Sequence, residues 1–145
     1  MNSYQNIKIA DQYLLQRIES ASPEQLHAML LEAGQKFLIH AIDAMNANDL
    51  PAKARHFSRV TEIIIELSGR LNQEQGGELV ANLTRIYSWW IDVLFDASQK
   101  NLPEPLQVVQ KQMGEMRASW EELHHRKVAT AQPETKRVSL DGLVG

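Results

Sequence analysis

The stretch Gln73–Phe95 reads QEQGGELVANLTRIYSWWIDVLF and places two adjacent glycines directly before a long apolar segment. Glycine pairs interrupt regular structure, whereas the residues that follow recur at the three- and four-residue spacing of a helix. We therefore predict a turn at the glycines and a helix after them, with Glu78 near its positively polarised start. Its main apolar face carries Leu79, Leu83, Ile86, Trp90, Val93 and Ala97. An adjacent face carries Val80, Tyr87, Ile91, Leu94 and Phe95.

This helix has more apolar surface than one packed face requires, since a bundle helix normally needs an apolar sector of roughly 100°. In one interpretation the second face lies beneath the N-terminal segment, and the helix is the most central of the fold. In the other, part of the surface is a groove for a partner helix, because large exposed apolar patches mark partner sites. The two interpretations are compatible if an N-terminal flap covers the groove until a partner displaces it.

The rest of the chain is dominated by helical periodicity and shows no sustained strand-like alternation. Helix breaks occur at SASPEQL, NANDLP and NLPEP. Ser22 followed by Pro23 is a typical helix start, as is Asp49 or Leu50 before Pro51. Because short connections make neighbouring helices antiparallel, we predict an all-α, up-down-up-down four-helix bundle with an additional N-terminal segment or short helix.

The first bundle helix has an apolar stripe that we expect to form its core face, and Gly34 within it indicates close helix packing. The stripe consists of Leu26, Met29, Leu30, Ala33, Phe37, Ala41 and Met45. The last helix repeats the pattern with Leu106, Val109, Met113, Met116, Trp120 and Leu123. We place the helical domain at residues 1–126, with residues 1–19 as the flap. Residues 127–145 lose the helical period and are predicted to be a disordered tail.

The composition of the 145-residue chain excludes several classes of function. It contains no cysteine, which rules out thiol catalysis and thiolate metal sites, and no serine lies in a nucleophile elbow. The net charge of -3 argues against nucleic-acid binding, so Trp90 is expected in the core and Trp89 at its edge. No apolar run is long enough to span a bilayer. We therefore expect a soluble protein of the compartment in which it is made, non-enzymatic and without a cofactor, nucleic-acid contact or membrane insertion.

Glu-x-x-His pairs, which serve as ligands in di-metal four-helix bundles, suggest an alternative. They occur at Glu24–His27, Glu121–His124 and Glu122–His125, and Glu66 and Glu78 could lie at the same end. The candidate ligands fall at helix ends and outside the apolar stripes, where we expect solvated side chains. The sequence therefore favours an interaction module without a metal. A third hypothesis is a structural bundle that self-associates through its surplus apolar face.

Two blocks of the sequence resemble the flagellar secretion chaperone (FliS) family. YLLQRIESASPEQLHAML (Tyr13–Leu30) is similar to that family's opening signature. NQEQGGELVANLTRIYSWWIDVLFDAS (Asn72–Ser98) is similar to its second block, with the same order and spacing. The resemblance extends to Trp120 and covers roughly Tyr13 to Leu123.

The resemblance implies a cytoplasmic chaperone that binds the disordered C-terminal region of flagellin in a 1:1 complex. Such a protein keeps flagellin from polymerising early and assists its export by the flagellar type III secretion system. Contacts with components of the export apparatus, and a homodimer in the absence of client, are further partner expectations. The expected partner-binding residues are Tyr13 and Ile18 in the flap, then Leu26, Met29, Leu30, Leu79, Leu83, Tyr87, Trp90 and Leu94.

Overall fold

The computed structural model describes residue 12 and residues 15–130. A helical stretch at residues 15–20 precedes four long helices in this part of the chain. These are α1 (Pro23–Asn46), α2 (Leu50–Gly69), α3 (Gly77–Lys100) and α4 (Pro103–Ala129). Short connections reverse the chain, and each helix packs against its two neighbours in a closed ring. The predicted all-α antiparallel bundle, preceded by a further helical segment, is confirmed.

The predicted helix starts have the expected caps. The Ser22 hydroxyl accepts a hydrogen bond from the Gln25 N–H at 3.0 Å, and Asp49 Oδ1 accepts one from the Ala52 N–H at 3.2 Å. Both satisfy backbone donors that the first helical turn leaves without partners. At the other end, α4 continues to Ala129, beyond the predicted domain limit at residue 126. Of residues 127–145, where we predict a disordered tail, residues 127–129 are helical and residues 131–145 lie outside the described residues.

Helix α1 is the centre of the packing, because its contacts with α2 and α4 are far more extensive than those that α3 makes with either neighbour. Gly34 lies where α1 meets both partners. A Cβ atom added there would lie 3.4 Å from Ile63 Cγ2 and 3.5 Å from Met113 Sδ. The close helix packing predicted at Gly34 is therefore confirmed. Helices α1, α2 and α4 form a tightly packed unit to which α3 is attached more openly.

The buried face of α1 differs from the predicted stripe. Leu31, Leu38, Ala41 and Met45 are buried, whereas much of the predicted stripe is only half-buried, including Leu26, Met29, Leu30, Ala33 and Phe37. The true face begins with Glu24 and His27 and passes through Gly34. These residues interrupt its apolar pattern, so the neighbouring stripe looked more continuous in the sequence.

The two predicted faces of α3 are also rearranged. The buried stripe takes members of both faces, namely Val80, Leu83, Tyr87, Trp90, Leu94 and Ala97. Leu79, Ile86 and Phe95 are exposed, so assigning Leu79 and Ile86 to the main core face was wrong. The expectation for the tryptophan pair is confirmed, since Trp90 is fully buried and Trp89 is 47% exposed. Among the described residues, no helix has the length and hydropathy needed to cross a bilayer.

The glycine pair forms the entry to α3. Gly77 has a φ of 58°, a left-handed conformation that residues with a Cβ adopt at a cost. Gly76 has no space for a side chain, because an added Cβ would lie 2.6 Å from Val80 Cβ and 2.8 Å from the Asn72 carbonyl oxygen. Both glycines are therefore required, one for its backbone conformation and one for its lack of volume.

We expect the Gly76→Ala substitution to lower the free energy of unfolding by about 1–3 kcal/mol, because the added methyl group displaces Val80 or the turn backbone. Gly69→Ala is the matched control, since nothing lies within 4 Å of a Cβ at that position. It should leave stability unchanged or raise it by up to about 1 kcal/mol. Urea denaturation followed by circular dichroism measures both, and equal effects of the two variants would contradict the steric explanation.

Candidate functional site

An open groove of about 530 Å³ runs between α3 and α4. It extends from Leu79 to Trp90 on α3 and from Gln112 to Leu123 on α4. Because the helices are antiparallel, Leu79 lies at the Leu123 end and Trp90 at the Gln112 end. The eleven-residue spacing on each helix corresponds to a length of about 16 Å, or three helical turns.

Large side chains from both helices form the floor of the groove. Leu83, Trp90, Met116 and Trp120 line it from below, and all four are buried or half-buried. The Trp90 indole N–H donates to Gln112 Oε1 at 2.8 Å, which fixes the ring and satisfies its polar atom. With such bulky side chains between them, α3 and α4 contact each other far less extensively than α1 and α4, which approach closely at Gly34.

The two walls of the groove differ in chemistry. The α3 wall is apolar and presents Leu79, Ile86 and Trp89, all of which are exposed. The α4 wall presents polar side chains, namely Gln112, Glu115 and Ser119. Leu123 closes the groove at the end where α3 begins. An occupant with a helical apolar stripe would bury the α3 wall and the floor while its flank faced the α4 wall.

A buried polar chain lies directly beneath the floor. The Tyr87 hydroxyl donates to Met116 Sδ at 3.2 Å, and its oxygen lies 2.7 Å from His27 Nε2. When the hydroxyl hydrogen points to the sulfur, His27 carries its proton on Nε2 and donates to Tyr87. The His27 ring also lies against the Trp120 ring, with centroids 4.1 Å apart. His27 thus contacts, directly or through Tyr87, two side chains of the groove floor.

Burial controls the protonation of this pair. His27 is 0% exposed, and its Nδ1 atom has no hydrogen-bond partner within the described part of the chain. Desolvation, aided by the positive charge of Arg70, lowers the pKa of His27 to about 4. Burial likewise raises the pKa of Tyr87 above its usual value. Both side chains are therefore neutral at physiological pH, which suits a floor covered by apolar groups.

The ends of α1 and α4 are joined beside this chain. Glu24 is 0% exposed, and its carboxylate pairs with Lys127 Nζ at 3.3 Å. The Ser22 hydroxyl lies 2.8 Å from His124 Nδ1. A buried carboxylate is stable only with a charge partner and hydrogen bonds, so α4 must extend to Lys127 to cover the start of α1. These contacts hold the α4 side of the groove against the rest of the bundle.

The expectation that the Glu-x-x-His residues are solvated was wrong for Glu24 and His27, because the end of α4 covers them. The Glu24 carboxylate and His27 Nε2 are engaged in protein contacts, and Glu121 and Glu122 pair with Arg117 and Arg126 on the surface of α4. Across residue 12 and residues 15–130, no group of three or more histidine, aspartate or glutamate side chains is arranged to hold a metal ion.

The predicted partner-binding residues are distributed over several environments. Leu79, Leu83 and Trp90 line the groove, Tyr87 lies beneath its floor, and Leu94 is buried in the core. Leu26, Met29 and Leu30 are half-buried on α1, which does not line the groove, and Ile18 is half-buried in the preceding segment. Tyr13 lies outside the described residues.

Sequence reasoning missed Ile86 and Trp89 as groove residues and the whole contribution of α4. Met116, Trp120 and Leu123 recur at core spacing, so the sequence alone placed them in the core. The sequence does contain a pattern that could have identified these groove residues. It is the set of polar residues Gln112, Glu115 and Ser119, which lie between the apolar positions of α4. Its members recur at three- and four-residue intervals and mark the edge of a second face.

The architecture is that of a helical bundle whose candidate binding site is an apolar groove three helical turns long. The family model described as "Flagellar protein FliS" matches residues 5–127, and the chain belongs to this family. It is 30% identical over 125 residues to the flagellar secretion chaperone FliSB of Pseudomonas aeruginosa, covering 86% of this chain and 95% of that protein. It is 26% identical over 123 residues to the flagellar secretion chaperone FliS of Vibrio cholerae, covering 85% and 87% of the respective chains.

Family membership confirms the resemblance seen in the sequence and indicates a chaperone role in flagellar export, with an exported protein as client. The FliS family is non-catalytic. A largely apolar groove suits a protein that binds a client.

The depressed pKa of His27 predicts that the protein loses stability in acid. Because the unfolded chain binds this proton more tightly, the stability contributed by neutral His27 is complete above pH 6.5 and is lost as the pH falls towards 4. The loss should amount to about 3 kcal/mol across this interval. Urea denaturation at several pH values measures it.

His27→Gln should flatten this part of the pH dependence, since glutamine does not titrate. His40→Gln is the control, because His40 is exposed on α1. A His27→Gln variant that kept the full acid dependence would show that another group is responsible.

Proposed function

We propose that this protein binds the C-terminal region of flagellin in a 1:1 complex in the cytoplasm and holds it until export by the flagellar type III secretion system. The observation that carries the proposal is the apolar groove between α3 and α4, in a chain that belongs to the flagellar secretion chaperone family. Delivery of the client to the export apparatus follows from the same role and requires contacts with its components.

The dimensions of the groove suit a segment of amphipathic helix. An occupant of about eleven residues matches the 16 Å length and presents apolar anchors at intervals of three and four residues. The floor residues Leu83, Met116 and Trp120 offer these anchors packing without fixed hydrogen bonds. A helix from a flagellin terminus, whose apolar stripe packs as a coiled coil in the filament, has this character. Covering that stripe prevents subunits from associating before export.

Apolar burial supplies the driving force for this complex. Each Å² of apolar surface removed from water contributes about 25 cal/mol, and exposed Leu79, Ile86 and Trp89 would be covered together. Ordering a disordered client segment opposes this gain and keeps the net affinity moderate. A chaperone that must release its client requires that balance.

Replacing Ile86 with aspartate should weaken binding of the flagellin C-terminal segment at least about tenfold, because a charge would be buried against the client's apolar stripe. Ile39→Asp is the matched control. Its side chain is 40% exposed, compared with 37% for Ile86, but it lies on α1 outside the groove. Isothermal titration calorimetry measures both affinities, and circular dichroism verifies that each variant keeps its helical content.

Size-exclusion chromatography with and without the flagellin segment distinguishes the self-association hypothesis. A 1:1 complex supports the proposed function. A homodimer that the segment neither dissociates nor binds would favour a self-associating bundle instead, and absence of binding at micromolar concentrations would refute the chaperone assignment to flagellin.

A further inference from the structure

We infer that the α4 wall selects the client by charge, with Glu115 receiving a lysine or arginine side chain that flanks the client's apolar stripe. The inference rests on the proposed function, because it concerns how the same client sits in the same groove. It adds a chemical requirement that apolar burial alone does not impose.

The asymmetry of the walls is the first argument. A helix seated on the floor meets only apolar side chains on the α3 flank, whereas the α4 flank presents Gln112, Glu115 and Ser119. These three positions are spaced by three and four residues, so they form one polar row along α4. A client whose apolar stripe is flanked by polar residues on one side matches this groove in one orientation about its own axis. A uniformly apolar segment would leave the row covered without partners, which is unfavourable.

Glu115 is the member of this row with an uncommitted side chain. The Gln112 side chain already accepts from Trp90, and the Ser119 hydroxyl donates to the Glu115 carbonyl oxygen at 3.3 Å. Within residues 15–130, the Glu115 carboxylate makes neither a hydrogen bond nor an ion pair. It is also the one charged side chain among the groove-lining residues described.

A client helix lying in the groove would remove much of the water around this carboxylate. An uncompensated carboxylate in that setting disfavours binding, whereas a client lysine or arginine converts it into a charge-assisted contact. Glu115 lies three residues from Gln112, within the first turn of the groove at its Trp90 end. The complementary cation therefore belongs to the turn of the bound segment that lies nearest the Trp90 end of the groove. It sits beside the apolar anchors rather than among them, which fixes both register and rotation of the helix.

The test measures binding of the C-terminal segment of flagellin from the same organism to the full-length chain by isothermal titration calorimetry. Glu115→Gln should weaken binding about three- to fivefold, and Glu115→Lys about tenfold or more. Glu62→Gln is the matched control for net charge, since Glu62 is an exposed glutamate on α2 that pairs with Arg59. It should change the affinity less than about twofold. Replacing the client's basic residues one at a time with glutamate should identify one position that restores binding to the Glu115→Lys variant.

The outcomes separate this inference from the function on which it rests. If Glu115→Gln binds like the unmodified protein while Ile86→Asp does not bind, charge selection is wrong and the flagellin-binding function stands. Equal weakening by Glu115→Gln and Glu62→Gln would also overturn the inference, because it would indicate a general charge effect. If the unmodified protein fails to bind the segment, both proposals fall.

Discussion

The close packing of α1 between α2 and α4 is the constraint on which the rest of the structure depends. Gly34 removes a side chain where the three helices meet, so Ile63 and Met113 approach the α1 backbone directly. The remaining helix, α3, meets this unit through large side chains such as Trp90, and its contacts are correspondingly fewer. The close packing of α1 with α2 and α4, and the more open packing of α3 through large side chains, leave a groove along α3. The groove is therefore a consequence of how the core is distributed.

A polar chain connects the tightly packed unit to the groove. Burying His27 and Glu24 is unfavourable, and the structure offsets it with Tyr87 and Lys127 as partners. The same contacts hold the Met116 sulfur and the Trp120 ring from below. Buried polar groups that are paired by directional contacts have fewer alternative arrangements than purely apolar side chains. The hydrogen bonds and the ion pair beneath the groove therefore help to fix the shape of its apolar floor.

The sequence predicted the helices, their caps and the glycine turn, because these depend on neighbouring residues. It predicted the groove only in part. Helical spacing shows that Leu83 and Tyr87 share a side of α3, but not that the first faces α4 while the second packs onto His27. Met116 and Trp120 have the same spacing as core residues, since a groove floor and a core use the same chemistry. The burial of Glu24 depends on Lys127, 103 residues away in sequence, and no local pattern contains that information.

Because its floor and α3 wall are apolar and its α4 wall is polar, the groove combines tolerance of different apolar side chains with selectivity among client segments. Packing against Leu83, Met116 and Trp120 accepts many apolar side chains, because dispersion and desolvation do not require a particular shape. A floor of this kind alone would bind any exposed amphipathic helix in the cell. Under the proposed charge selection, the polar row on α4 penalises segments that cannot pair with it and adds a modest affinity for a client that can. Under the proposed function, a three-turn site is small beside a stable protein–protein interface, which would allow its occupant to leave for export.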